Sequence, residues 1–263
     1  FAEHFINEGF VIYGVGYDHK LQVVHKRVET KTECEELRGS KYTQSDLRGI
    51  FKEIRIKLQA FEKIVFIGTP CQVAGLKSYL PLKLQNNLFT IDLVCHAVPS
   101  PKIWEEYKKW IENRYKTKII ATDFRNKKNG WHSHFECFKL EKQNKEITRF
   151  TFRTLFYDHL SVRKSCTNCK FTNLKRPGDI TIGDFWGWEE HHPEWNDNKG
   201  VSLLLINTEK GLHNFDQIDG KLLISIKSDT LECLQPQLKS PIKKNSNQEL
   251  FIEEFSKYGF EFV

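Results

Sequence analysis

The run Lys63-Ile64-Val65-Phe66-Ile67-Gly68-Thr69-Pro70-Cys71-Gln72 leaves few folds open. Lys63 to Phe66 is a short apolar, β-branched run of the kind that forms a buried strand. Behind it Val73, Leu76, Tyr79 and Leu80 recur at helical spacing. Thr69 is placed to cap that helix, and Pro70 suits its first position, where a missing N–H costs nothing. Cys71 therefore falls in the first turn of a helix that opens at the carboxyl end of a strand. Free amide N–H groups and the helix dipole favour a thiolate there, which suits an anionic metal cluster or a reactive sulfur. A structural cysteine buried in a tight turn is the plainer reading.

The same junction returns downstream. Leu88 to Cys95 is continuous enough for a strand buried on both faces, and it ends in Cys95-His96-Ala97-Val98-Pro99-Ser100-Pro101. Ser100 and Pro101 open a helix whose Ile103, Trp104, Tyr107, Trp110 and Ile111 make an apolar stripe facing a core. Two strand–cysteine–helix units place both cysteines on the sheet edge where α/β folds bind ligands.

Around these units the patterns are simpler. A helical turn over 1–8 precedes a hairpin of Phe10–Tyr17 with Leu21–Val28. Gly14-Val15-Gly16 lacks the third glycine and following helix of a dinucleotide loop. Thr32 and Glu35 have capping-box spacing, and a longer helix is expected from Ser45 to Ala60. The intervening Arg38-Gly39-Ser40-Lys41-Tyr42 is either a solvated turn or a phosphate-holding loop. A strand at 119–124 leads through Arg125–Trp131 into a hairpin at 133–140 and 146–152, in which Cys137 reads as a small core residue. A helical turn at 154–160 precedes Ser165-Cys166-Thr167-Asn168-Cys169-Lys170. Strands at 179–183 and 201–207, a helix capped by Thr208, an edge strand at 221–226 and a helix at 248–258 complete the chain. The whole predicts an α/β fold: a mixed sheet flanked by helices, with an antiparallel hairpin excursion and a Cys-rich loop. It is expected as one domain over 1–263, with an N-terminal part at 10–80 and a C-terminal part at 85–263.

Composition narrows the function. The charge of +6 comes from 40 Lys and Arg against 34 Asp and Glu. These are interleaved along the chain, which argues against a nucleic-acid surface while leaving room for a basic cleft. No apolar run approaches the roughly 18 residues of a membrane span, and no secretory signal is present. Phe1 is not an initiator Met, so an excerpt or a processed chain is expected. Seven cysteines make a poor disulfide framework and point to a reducing, cytoplasmic setting with metal or catalytic use for some of them.

Cys166 and Cys169 have the C-x-x-C spacing that brings two thiolates to one metal centre, with structural zinc, thiol redox and iron–sulfur chemistry all open. With Cys71 and Cys95 they give four sulfurs that could converge on the sheet edge, a set suited to zinc or an iron–sulfur cluster. Arg163, Lys164 and Lys170 would offset a cluster's charge. His96 could ligate, orient a flavin or donate a proton, and a hydrogen-bonded turn histidine is the plainer reading.

In these motifs the chain resembles the coenzyme F420 hydrogenase/dehydrogenase beta subunit family. The resemblance runs through residues 38–42, 68–75, 92–96, 98–101, Phe124-Arg125, 165–171 and 179–187. It implies a flavin- and iron–sulfur-dependent oxidoreductase that passes electrons between a 4Fe–4S cluster, FAD and a deazaflavin or other redox small molecule. Carried over, it makes Cys71, Cys95, Cys166 and Cys169 the cluster ligands, and His96 stands as the candidate catalytic residue beside them. It places flavin contacts at Ser40, Lys41, Thr69, Pro70, Gln72, Arg125, Lys127 and Lys128. Two departures stand out. The family's usual glycine after Cys-His is Ala97 here, which would crowd a site needing positive φ or close backbone approach. The upstream ferredoxin-like segment of many bacterial relatives is absent, so electrons are expected from a separate donor protein or from such a segment outside this excerpt. The other readings are a zinc-stabilised accessory or binding domain without flavin, and a metal-free enzyme using Cys71 as nucleophile.

Overall fold

The computed structural model describes residues 1–143, 146–221 and 224–260. In chain order the elements begin with α1 (Ala2–Asn7), β1 (Phe10–Tyr17), β2 (Val23–Val28), α2 (Lys31–Cys34), α3 (Ile50–Gln59), β3 (Lys63–Gly68) and α4 (Pro70–Tyr79). They continue with β4 (Leu88–Leu93), α5 (Pro101–Tyr115), β5 (Ile119–Asn126), β6 (Phe135–Leu140), β7 (Ile147–Arg149) and α6 (Thr151–Tyr157). The chain ends in β8 (Ile180–Asp184), α7 (Trp188–His191), β9 (Ser202–Ile206), α8 (Glu209–Ile218) and α9 (Gln248–Tyr258). Six strands form one sheet in the order β2-β1-β3-β4-β8-β9, while β5-β6-β7 form a separate antiparallel sheet. The pairs β1–β3, β3–β4 and β4–β8 are parallel, whereas β2 and β9 close the edges antiparallel. The expected mixed α/β architecture is the observed one.

The four parallel strands end on a common edge, and this fixes where chemistry can happen. Strand β3 is buried on both faces, and β4 reads buried from Leu88 through Asp92. Val73 and Leu76 of α4 pack with Ile50, Ile54 and Leu58 of α3 over one face of the sheet. Phe5, Ile12, Val65, Phe89 and Ile180 fill the other face. The aromatic stripe of α5 joins Phe124, Phe138 and Phe152 in a third cluster that seats the small sheet. Trp104 is fully buried there, so its truncation to alanine is expected to cost about 3–5 kcal/mol.

Several expectations are corrected. The capping box is Thr30 with Glu33, not Thr32 with Glu35, because Thr30, two residues past the end of β2, is still in extended conformation. The helix expected from Ser45 starts at Ile50: Asp46 donates to Val23 and accepts from His25 beside β2, and Gly49 then turns left-handed. The second hairpin strand ends at Arg149, and α6 begins at Thr151. Of the edge strand expected at 221–226, residues 222 and 223 lie outside the described residues, and 224–226 are not a strand. Gly14 and Gly16 sit mid-strand in β1, where a Cβ would come 2.7 Å from Leu37 Cδ1 and 2.6 Å from Lys26 Cδ. Their glycine spacing therefore serves packing. Ala97 avoids the left-handed region and packs against Phe156 and Val162, so the glycine-to-alanine departure brings no backbone strain. Among the described residues no helix is long and apolar enough to cross a membrane.

Buried histidines give the fold an acid limit. His25 stacks on Phe66 at 5.0 Å and 5°, and burial lowers its pKa to about 4. Burial, aided by Arg125, Arg153 and Lys127, lowers His134 likewise to about 4. Unfolded imidazoles take a proton near pH 6.5, so between about 6.5 and 4 the unfolded chain binds more protons and stability falls as pH falls. Each group contributes on the order of 3 kcal/mol across that window. The urea midpoint is expected to be level above pH 7 and to fall steeply by pH 4.5, less steeply in His25→Phe. A flat profile would contradict this.

Candidate functional site

A cleft of 2270 Å³ runs along the carboxyl edge of the sheet, lined by Gly14 of β1, Gly68 at the end of β3 and Thr69 after it, Cys95 after β4 and Asp184 of β8. The β3–α4 junction forms as the sequence predicts. Gln72 reaches back so that its Oε1 accepts from the Thr69 backbone N–H and hydroxyl, each at 3.0 Å. Its Nε2 donates to Ser45 Oγ at 2.9 Å, tying the junction to the 40–45 loop. Cys71 is exposed in the first turn of α4, with Sγ 3.2 Å from Thr69 Oγ1.

The other sulfurs are gathered by a second set of ties. Cys166 lies in a tight 3₁₀ turn, Lys164–Asn168. Arg163 N–H donates to Val98 O at 3.1 Å, and Ser100 N–H to Ser161 O at 3.0 Å. These bonds hold the Cys-rich loop against the segment that follows β4. Burial pushes the Cys95 thiol far up, and the thiols of Cys71, Cys166 and Cys169 push it further, against the pull of Arg176. Cys166 is raised first by burial and also feels Cys169 and Cys71. Cys71, Cys95 and the Cys166/Cys169 pair, remote from one another in sequence, thus share one electrostatic neighbourhood. Among the described residues, no three His, Cys, Asp or Glu side chains group closely enough for a single metal ion. Four sulfurs on one zinc would lie about 3.8 Å apart, as tetrahedral Zn–S bonds of about 2.3 Å require.

Arg176, which the sequence reading passed over, holds this arrangement. Its guanidinium is buried and donates to Asp92 Oδ1 (2.6 Å from Nη2, 3.1 Å from Nε), Leu93 O and Phe171 O. Asp92 Oδ2 in turn accepts from Gly178 N–H at 2.7 Å. The end of β4, from which Cys95 follows, is thereby locked to the loop that carries Cys166 and Cys169.

The expected flavin contacts divide. Ser40, Lys41, Thr69 and Gln72 line the cleft together with Cys71, Cys95, His96 and Cys166. Lys41 donates to Leu37 O at 2.9 Å and Arg38 O at 2.7 Å, and burial lowers its pKa to about 8. Pro70, Cys169, Arg125, Lys127 and Lys128 are not among the lining residues. Arg125 is buried behind the wall, paired with Asp184 and lying 4.6 Å and 5.0 Å from the centroids of Trp131 and Trp186. Those two rings stack at 4.9 Å, and Trp186 faces the cleft. Lys127 lies 4.6 Å over Trp131. Lys128 pairs with Glu146 and lines a separate small depression.

Both ring nitrogens of His96 are engaged. Gln237 Nε2 donates to Nδ1 at 2.9 Å, and Nε2 lies 3.0 Å from His159 Nε2. His159 Nδ1 donates to Lys243 O at 2.9 Å, which leaves its Nε2 to accept from His96. Burial, then His159, lowers the His96 pKa to about 4. A second polar group, which the sequence reading missed, joins Tyr42, His134 and Tyr157 on the cleft wall. Nothing in their spacing signals the contact, since Tyr42 and His134 are 92 residues apart.

Residues 61–230 match a family model described as the C terminus of the coenzyme F420 hydrogenase/dehydrogenase beta subunit. The fold is similar to a chain in a structure described as a xenon derivatization of the F420-reducing nickel–iron hydrogenase complex from Methanosarcina barkeri. The two are 16% identical, with a TM-score of 0.57 over 97% of this chain and 80% of that one. No protein of curated function matches the chain.

Proposed function

The chain belongs to the coenzyme F420 hydrogenase/dehydrogenase beta-subunit family, and on that premise we propose that it is an oxidoreductase coupling a 4Fe–4S cluster to FAD. The observation that carries this reading is the shared electrostatic neighbourhood of Cys71, Cys95, Cys166 and Cys169 at the edge of the cleft. Four thiols so placed repel one another when ionised, and an iron–sulfur centre relieves that cost, as do Arg176 and Arg163 beside them.

FAD would supply hydride and single-electron chemistry, which lets a one-electron cluster serve a two-electron partner. The chain's residues have the remaining work. Ser40, Lys41, Thr69 and Gln72 offer hydroxyl, ammonium and amide groups along the cleft, and Pro70 sets the helix start that presents them. Arg125 and Lys127 add positive charge behind Trp131 and Trp186; Lys128 would reach the cleft only by leaving Glu146. His96, which lines the cleft with both nitrogens engaged, holds the post-Cys95 segment to His159 and Gln237. The redox partners on this reading are a one-electron donor protein and a deazaflavin or similar small molecule. In anaerobically loaded protein mixed with dithionite, cluster absorbance is expected to bleach first and the flavin bands to follow. Cys95→Ser should keep flavin and lose its fast reduction. Protein that takes up one zinc and no flavin would overturn the proposal.

A further inference from the structure

We propose that Tyr42, His134 and Tyr157 form a proton relay to a ring bound in the cleft. The inference rests on the redox reading above. Tyr42 hydroxyl and His134 Nε2 are 2.8 Å apart, and Tyr157 hydroxyl lies 3.2 Å from Nδ1 and 3.3 Å from Nε2 of the same ring. One imidazole thus contacts both phenols. Tyr42, His134 and Tyr157 all line the cleft. His134 is 8% exposed, whereas Tyr157 is 38% exposed on the cleft wall, so a buried imidazole backs a phenol facing the ligand space. Phe156 stacks on Tyr42 at 5.0 Å and 12°, and packs edge-on to Tyr157 at 4.9 Å, covering the path with apolar surface.

The electrostatics favour conduction over storage. Arg125 and Lys127, from β5 and the loop after it, and Arg153 from α6 all oppose charge on His134. Burial raises both tyrosines, and the whole chain is neutral at neutral pH. Imidazolium is disfavoured between three cations, so a proton taken up from one phenol is passed on rather than held. The His96–His159 pair cannot serve this way, since it ends on a backbone carbonyl. The balance requires protons at the ring. Reducing a two-electron organic acceptor with a one-electron donor oxidises two donor molecules, places two electrons on the acceptor and takes two protons from solvent.

Tyr42→Phe and Tyr157→Phe keep the rings and remove the hydroxyls. In anaerobically loaded protein reduced by dithionite, each is expected to slow flavin reduction at least about tenfold at neutral pH. Iron and flavin contents should be unchanged, and added imidazole should restore much of the rate. Rates within about twofold of wild type in both variants would overturn the path. Nitrogen NMR of the unloaded chain gives a readout independent of turnover. His134 is expected to stay neutral well below pH 6, with its Nε2 resonance moved by Tyr42→Phe. Titration near 6.5, or a ring indifferent to Tyr42→Phe, would overturn the path while leaving the redox reading intact. A wild-type chain that loads neither iron nor flavin overturns that reading and the path with it.

Discussion

Arg176→Met is expected to be the most damaging single substitution outside the apolar core. It leaves the Asp92 carboxylate fully buried with its cation gone, a change that costs about 3–5 kcal/mol. For a chain of this length that is a fall of roughly 10 °C in the melting temperature. The loss goes beyond stability, because the same guanidinium bonds Leu93 O and Phe171 O and so fixes the two cysteine-bearing segments against each other. Pairing Arg176→Met with Asp92→Leu should recover most of the stability, since buried ion pairs are commonly replaceable by apolar neighbours. It should not recover iron binding, because the carbonyl bonds remain broken. Calorimetry and iron content of the single and double variants separate the two effects. Iron fully retained in the single variant would show that Arg176 does not position the sulfurs.

Serine at position 71, 95, 166 or 169 is the second large effect. Each substitution is expected to cut anaerobically loaded iron from about four per chain to below one, while circular dichroism stays native. Cys34→Ser, Cys137→Ser and Cys233→Ser serve as controls. Those thiols are buried outside the cluster neighbourhood, with Cys34 packed beside Phe5 and Val28, Cys137 in β6 near Thr148, and Cys233 beside Phe185 and Leu238. Full iron loading is expected in all three. Loss of iron in a control, or its retention in the serine series, would remove the assignment.

The parts of the fold that were legible in the sequence are those with local causes. The Thr69–Pro70 start of α4, the Pro101 start of α5 and the Thr208 cap of α8 stand where spacing put them, because caps and helix starts are decided within a few residues. Two overlapping T-x-x-E registers at Thr30 and Thr32 were not separable that way; the end of β2 chose between them. The apolar run at 221–226 reads as an edge strand, yet its residues 224–226 are not one, because an apolar pattern does not supply a partner strand. At the site, the cysteines were visible as a C-x-x-C and two strand ends. Arg176, Tyr42, His134 and Tyr157 were not, because each acts through a residue tens of positions away: Arg176 on Asp92 across 84 residues and Tyr157 on His134 across 23. Contacts of that kind belong to topology, here the long excursion through the small sheet that returns β8 alongside β4.

Anomalous scattering at the iron edge from anaerobically loaded crystals tests the cluster assignment most directly. The account predicts one strong iron peak per chain, bounded by the sulfurs of Cys71, Cys95, Cys166 and Cys169 and opening on the cleft. A peak at the zinc edge alone, or iron bound away from any of those four sulfurs, would contradict it.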